Sequence, residues 1–331
     1  MSGSDIVRYG DAAMYESVPI RREEGTTVVP SVTLLCATPD PLGSLAAGFR
    51  MYRGDPVYDL QDITDEQRLW AWDESIKTHL KAPWEFIDLM FMIEGVTRSF
   101  THQLVRQRTA VYAQESLRFA VKRGFAHEAA LPPHIVPGPA GDEPAFKIWC
   151  DIMQDVEDAY EKLIALGIPA EDARSILPHC VTTRVIYKTN LRGLLEHAGN
   201  RLCTQAQFEW RSVFLGIIKS IRNKKGYMYK KPSMINDGVY AAAKSDWQFE
   251  KLASPIPATF APVCYKAGHC VFMGTIDRGC TIRDRVQAFS EAGIGADRWA
   301  EGTAVIPPIE VEEWMANANA GITWSDEDRP K

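Results

Sequence analysis

Six basic residues, Arg98, Arg106, Arg108, Arg118, Lys122 and Arg123, lie between positions 98 and 123 against one acid, Glu115, in a chain whose formal net charge is -6. A guanidinium offers a planar fork that fits phosphate oxygens, and a side-chain amide such as Gln103 fits the edge of a base. Gln103 and Arg106 are three apart and are expected to share a helix face, with Arg108 following where that helix gives way to a loop. The pattern reads Arg106-Gln107-Arg108, seven residues, Ser116, then Arg118. A second group holds Arg174, Asn190, Arg192, Arg201 and the run Ala206-Gln207-Phe208-Glu209-Trp210-Arg211. Asn190 and Arg192 precede an apolar helical stretch, whose first backbone N–H groups favour anions. A lone Arg-x-Arg is more often a solvated, ion-pairing surface. Two such groups in an acidic chain point instead to a small ligand carrying phosphates.

The cysteines are a second candidate for chemistry. Cys264, His269, Cys270 and Cys280 supply the donor types of a tetrahedral zinc site, with Cys203 as a replacement for the imidazole. Their spacing lacks a paired Cys-x-x-Cys, and buried free thiols are the alternative. Seven cysteines are odd in number and too sparse for a secreted disulfide scaffold, which implies a reducing compartment.

The elements that must carry these residues follow from periodicity. Residues 1–30 read as a polar, irregular arm, and Val32 to Cys36 as a strand. Ile63 to Leu80 reads as an amphipathic helix entered through Thr64 or Asp65 and stopped by Pro83. Phe86 to Gly95 is mostly apolar and reads as a buried strand or helix, followed by a helix over Val96 to Arg106. From Gly124 to Pro144, prolines and glycines mark a long loop. Phe146 to Leu166 and Thr204 to Asn223 read as long helices, separated by the β-branched run from Val181 to Ile186. Past Pro232 the pattern loses period and ends in an acidic tail. The expected organisation is an arm at 1–30, a ligand-binding catalytic domain at 31–234 and an extension at 235–331.

At the level of residues, the two arginine blocks resemble the flavin-dependent thymidylate synthase family. Thr101-His102-Gln103-Leu104-Val105-Arg106-Gln107-Arg108-Thr109-Ala110, then Ser116-Leu117-Arg118-Phe119, is similar to its Arg-His-Arg, seven residues, Ser signature. Leu177-Pro178, Thr183, Thr189-Asn190-Leu191-Arg192, Arg201 and Ala206-Gln207-Phe208-Glu209 follow the family's other block in order and spacing. The resemblance covers about residues 31–230. It implies a mixed α/β fold, a central sheet flanked by long helices, assembled as a homotetramer with active sites where subunits meet. It also implies FAD as cofactor, with reduced nicotinamide (NADPH) and methylenetetrahydrofolate as co-substrates and carbon 5 of dUMP as acceptor. Carried over by motif position, Gln103, Arg106, Gln114, Glu115, Ser116, Arg118, Arg174 and Arg201 contact the pyrimidine deoxynucleotide, with Ser116 near its phosphate and Arg201 near its base as the catalytic pair. His79, Arg106, Gln107, Arg108, Asn190, Arg192 and Glu196 hold the flavin.

The chain departs from that pattern at several points. Gln107 stands where the signature has histidine, Ala113-Gln114 where the family has Asn-Glu, and Val111 at a small polar position. Glutamine still donates and accepts, whereas Ala113 does neither through its side chain. Methyl transfer to dUMP is the leading reading. Hydroxymethylation of dUMP, or reaction on dCMP, is the alternative within the same chemistry, and a non-catalytic nucleotide-binding protein is the alternative outside it. An acidic pI near 5.7 argues against a protein that grips a nucleic-acid backbone. With neither a membrane span nor an apolar leader in view, a cytoplasmic site is expected. Gly293-Ile294-Gly295 lacks the third glycine and preceding strand of a Rossmann turn.

Overall fold

A computed structural model describes residues 6–9, 12–16, 30–132, 135, 143–203, 206–223 and 263–264. Its elements run β1 (Ile6–Tyr9), β2 (Ala12–Glu16), β3 (Ser31–Ala37), α1 (Pro41–Tyr52), α2 (Asp65–Lys77), β4 (Asp88–Thr97), α3 (Arg98–Leu104), β5 (Ala110–Gln114), β6 (Ala120–Val121), α4 (Phe125–Glu128), α5 (Glu143–Ala165), α6 (Ala170–Ala173), β7 (Thr182–Asn190), α7 (Leu191–Arg201) and α8 (Phe208–Asn223), with short 3-10 turns between some of them. The architecture is the expected mixed α and β. One sheet has the order β3-β4-β7-β5 and a second the order β1-β2-β6. β1 and β2 pair antiparallel, and β2 pairs parallel with β6. Residues expected to form an irregular arm therefore contain two strands; their short, mixed composition hid them, because the partner β6 is far away in sequence.

The described chain divides into two compact units that interleave along the sequence. The first comprises Met1–Val32, Met92–Arg108 and Tyr112–Tyr187. Its core gathers Val121, Phe125, Tyr160, Ile164, Ala170, Ala173 and Val181, with the Phe125 ring edge-on to Tyr160. The long helix α5 presents Tyr160 and Ile164 to that core and Met153 to a smaller one with Ala126 and Ala129. Short α4 interrupts the expected loop after Gly124, whose φ of 68° is the left-handed conformation that favours glycine.

The second unit comprises Thr33–Phe91, Thr109–Val111 and Lys188–Lys331. Helix α2 begins with a reciprocal capping box between Thr64 and Gln67, as the Thr64-Asp65-Glu66 opening predicts. It ends at Lys77 rather than Leu80. Lys81 folds back, its Nζ donating to the Ser75 and Ile76 carbonyls at 2.6 and 3.0 Å, so the last turn is satisfied before Pro83 is reached. Arg68 is buried and donates to Asp40 at 2.9 Å and to the Leu60 carbonyl at 2.8 Å, tying α2 to the start of α1. Helices α7 and α8 bury Leu194, Leu195, Ala198, Trp210, Phe214 and Ile217.

Two boundaries matter for the ligand-binding residues. The apolar run after Phe86 is a strand, β4, whose side chains alternate between half-buried and buried until its last three residues are fully covered. Helix α3 is capped by the Thr97 hydroxyl on the Phe100 N–H at 2.9 Å and stops at Leu104, so Arg106 lies in a turn beyond it and does not share a helix face with Gln103.

Candidate functional site

Nine of the candidate ligand-binding residues fall in or beside three turns of the first unit. After α3 the chain turns with the Arg106 N–H on the Gln103 carbonyl and the Gln107 N–H on the Leu104 carbonyl, both at 3.2 Å. Arg106 and Arg108 are exposed and have no carboxylate partner among the described residues. Gln107, half-buried between them, is held twice. Its side-chain oxygen accepts from the Tyr187 hydroxyl at 2.7 Å, and its carbonyl accepts from the Tyr112 hydroxyl at 2.9 Å. Burial pushes the Tyr112 phenol up to about 12, so it stays a donor at any ordinary pH.

The second turn carries Gln114, Glu115 and Ser116. Gln114 donates its amide to the Thr101 hydroxyl at 2.9 Å. The Glu115 carboxylate points inward: Lys122 Nζ, almost wholly buried, lies at 3.0 Å, and Arg184, paired with Glu94 at 2.7 Å, lies at 3.8 Å. The Glu115 carbonyl accepts from Arg98 at 3.3 Å. Ser116 Oγ accepts from the Arg118 N–H at 3.3 Å, and the Ser116 carbonyl takes the Ala120 N–H at 2.9 Å.

Arg118 and Arg174 meet at Glu171. The Arg118 guanidinium makes a two-point ion pair with its carboxylate, at 2.9 and 3.0 Å, and Arg174 donates to its carbonyl at 3.1 Å. Half-buried Arg98 has its pKa pulled down by burial first and by nearby Arg174 second. The result is a cluster of three guanidinium groups in which one carboxylate, Glu171, engages the Arg118 fork.

The remaining named residues belong to the second unit. Asn190 caps α7, its side-chain oxygen accepting from the Gly193 N–H at 2.8 Å, so the residue expected to greet an anion with free amides already occupies one of them. Arg192 is clasped by Glu85 at 2.7 Å and Glu196 at 2.8 Å. His79 is exposed just past α2. Arg201 lays its guanidinium over the Trp210 indole, 4.7 Å from the ring centre, and burial lowers its pKa. His197, one turn earlier on α7, meets Trp210 edge-on at 4.8 Å and Phe214 at 6.0 Å. Burial, then the Arg201 charge, brings its pKa down to about 4. Glu209 and Gln207 hydrogen-bond to each other at the head of α8.

Of the proposed zinc ligands, Cys264 is described; His269, Cys270 and Cys280 lie outside the described residues. Among the described residues no cluster of three or more metal-ligating side chains occurs. No helix there is long and apolar enough to cross a membrane. Sequence reading missed Tyr112, Tyr187, Glu94 and Arg184, whose partners are distant in the chain and leave no local spacing signal.

The turns carry arginines, amides and one serine, residue types suited to phosphorylated ligands. Comparison makes the class specific. The model of the thymidylate synthase complementing protein family matches residues 33–224, and the chain belongs to that family. It is 32% identical over 194 residues to the flavin-dependent thymidylate synthase of Geobacter sulfurreducens, covering 58% of this chain and 82% of that protein. With the enzyme of the same name from Pyrococcus furiosus the identity is 38% over 203 residues, covering 61% and 72%. Among solved structures, the Helicobacter pylori flavin-dependent thymidylate synthase complexed with FAD and dUMP aligns at 18% identity and a TM-score of 0.44, over 60% of this chain and 98% of that one.

Proposed function

We propose that this chain binds FAD and dUMP and transfers a one-carbon unit from methylenetetrahydrofolate to carbon 5 of dUMP, giving dTMP, with NADPH as reductant. The observation that carries the reading is the turn Arg106-Gln107-Arg108, which offers two exposed guanidinium groups without a carboxylate partner among the described residues. FAD carries two phosphates and dUMP one, so the charge on these turns fits the ligands.

Bound flavin supplies the hydride chemistry; the protein supplies binding and orientation. In this reading Arg106, Gln107 and Arg108 hold the flavin, joined by His79, Asn190, Arg192 and Glu196, while Arg118, Arg174 and the Ser116 hydroxyl receive the nucleotide phosphate. For that phosphate to sit on Arg118, the Glu171 carboxylate must give up its two-point contact. In the same reading Arg201, which lies over Trp210, contacts the pyrimidine, and Gln103 and Gln114 read its edge. Glu115 acts from behind, through Lys122 and Arg98, to hold the turn that carries Ser116. Assembly as a homotetramer in the cytoplasm, and a catalytic domain at 31–234 between the arm and the extension, complete the proposal. A zinc site at Cys264, His269, Cys270 and Cys280 remains a separate proposal about the extension.

The test is the mass of the nucleotide formed when purified protein is incubated with FAD, NADPH, methylenetetrahydrofolate and either dUMP or dCMP. A methyl gain on dUMP is expected. A hydroxymethyl gain, or reaction on dCMP alone, would transfer the assignment to modified-pyrimidine synthesis, and absence of product from both would sink it.

A further inference from the structure

The Arg106-Gln107-Arg108 turn is anchored more firmly than a surface loop requires. Tyr112 and Tyr187 lie ring on ring, centres 5.7 Å apart and planes 12° from parallel. Tyr112 sends its hydroxyl to the main chain of the turn, at 2.8 Å from the Leu104 carbonyl and 2.9 Å from that of Gln107. Tyr187, almost wholly buried, sends its hydroxyl to the side chain, at 2.7 Å from Gln107 Oε1. Backbone and side chain of the one residue between two exposed arginines are thus tied to a single aromatic pair. Gln107 is also one of the positions at which this chain departs from the pattern it otherwise resembles.

We propose that Tyr187 is a positioning residue: its hydroxyl, acting through Gln107 Oε1, sets the Arg106-Gln107-Arg108 turn in the geometry that receives the phosphates of the flavin. The proposal rests on the flavin-binding reading above. The phenol's contact with Oε1 fixes the one side chain that stands between the two arginines. A turn ordered in advance loses less conformational freedom on binding, so the effect should appear in flavin affinity.

Flavin titration of the full-length protein, followed by flavin fluorescence, tests this. Tyr187→Phe removes the hydroxyl and keeps the stacked ring; we expect FAD to bind about tenfold more weakly. Gln107→Leu should weaken binding at least as much. The double variant should be no worse than Gln107→Leu alone, because the two changes break one contact. A residue that merely supports the fold would give additive losses. Should Tyr187→Phe not fold, Gln107→Asn takes the acceptor out of reach while leaving the tyrosine in place, and the same loss is expected. Affinity within twofold of the parent in these variants, or strict additivity, would overturn the lock while leaving flavin binding intact. A parent protein that takes up no flavin would overturn the lock together with the functional reading beneath it.

Discussion

Arg106 and Arg108 in the first unit stand exposed with no carboxylate partner among the described residues, whereas Arg192 in the second is clasped by Glu85 and Glu196. The first unit also sets charge in a network, buried Lys122 with Glu115 and half-buried Arg184 with Glu94. The second buries its titratable His197 among aromatic rings. The contrast teaches that the same residue type is prepared differently in each place. In the first unit, internal ion pairs brace turns on which Arg106 and Arg108 have no carboxylate partner among the described residues, although Arg118 there is held by Glu171. In the second, carboxylates and aromatic rings already engage the cations, so a ligand must displace a partner or accept a fixed geometry.

The largest effect should come from breaking the buried network. Glu115→Gln strips Lys122 of its counter-charge, and a loss of about 3–5 kcal/mol in unfolding free energy is expected in urea titrations. The double change Glu115→Gln/Lys122→Met should recover most of it, since no uncompensated ammonium is left inside. Stability unchanged in the single variant would mean that the first unit does not depend on its internal charges.

An intermediate effect should come from the aromatic cage around His197. Its folded pKa of about 4 lies below the ordinary 6.5, so between these values the unfolded chain binds more protons than the folded one. The stability is complete above pH 6.5 and falls as the pH drops toward 4, by up to roughly 3 kcal/mol. His197→Leu should remove that acid sensitivity. Unfolding curves for parent and variant that stay parallel from pH 7 to pH 4 would refute it.

The smallest effect should come from the exposed clasp on Arg192. Glu196→Gln is expected to change stability by less than about 1 kcal/mol, because exposed pairs contribute little. Because Glu196 belongs to the group proposed to hold the flavin, the variant should bind FAD roughly two- to fivefold more weakly. Tighter binding at low salt that fades as salt is added would show instead that Glu196 competes with the ligand for Arg192 and does not hold the flavin.

The sequence by itself settled the parts whose cause is local. The Thr64-Asp65-Glu66 opening placed the cap of α2, β-branched residues announced β7, and the spacing of Arg106, Arg108, Ser116 and Arg118 marked the turns to which anion binding is assigned as a proposal. Those signals survive because helical periods, caps and short motifs act over a few residues. Tertiary structure alone decided which arginines face outward and which partners occupy the others. Tyr187 meets Gln107 from 80 positions away, Arg192 meets Glu85 from 107, and Glu115 turns inward to Lys122 rather than toward a ligand. No periodicity records such meetings, because charge and hydrogen-bond satisfaction are settled by which groups the fold leaves without water.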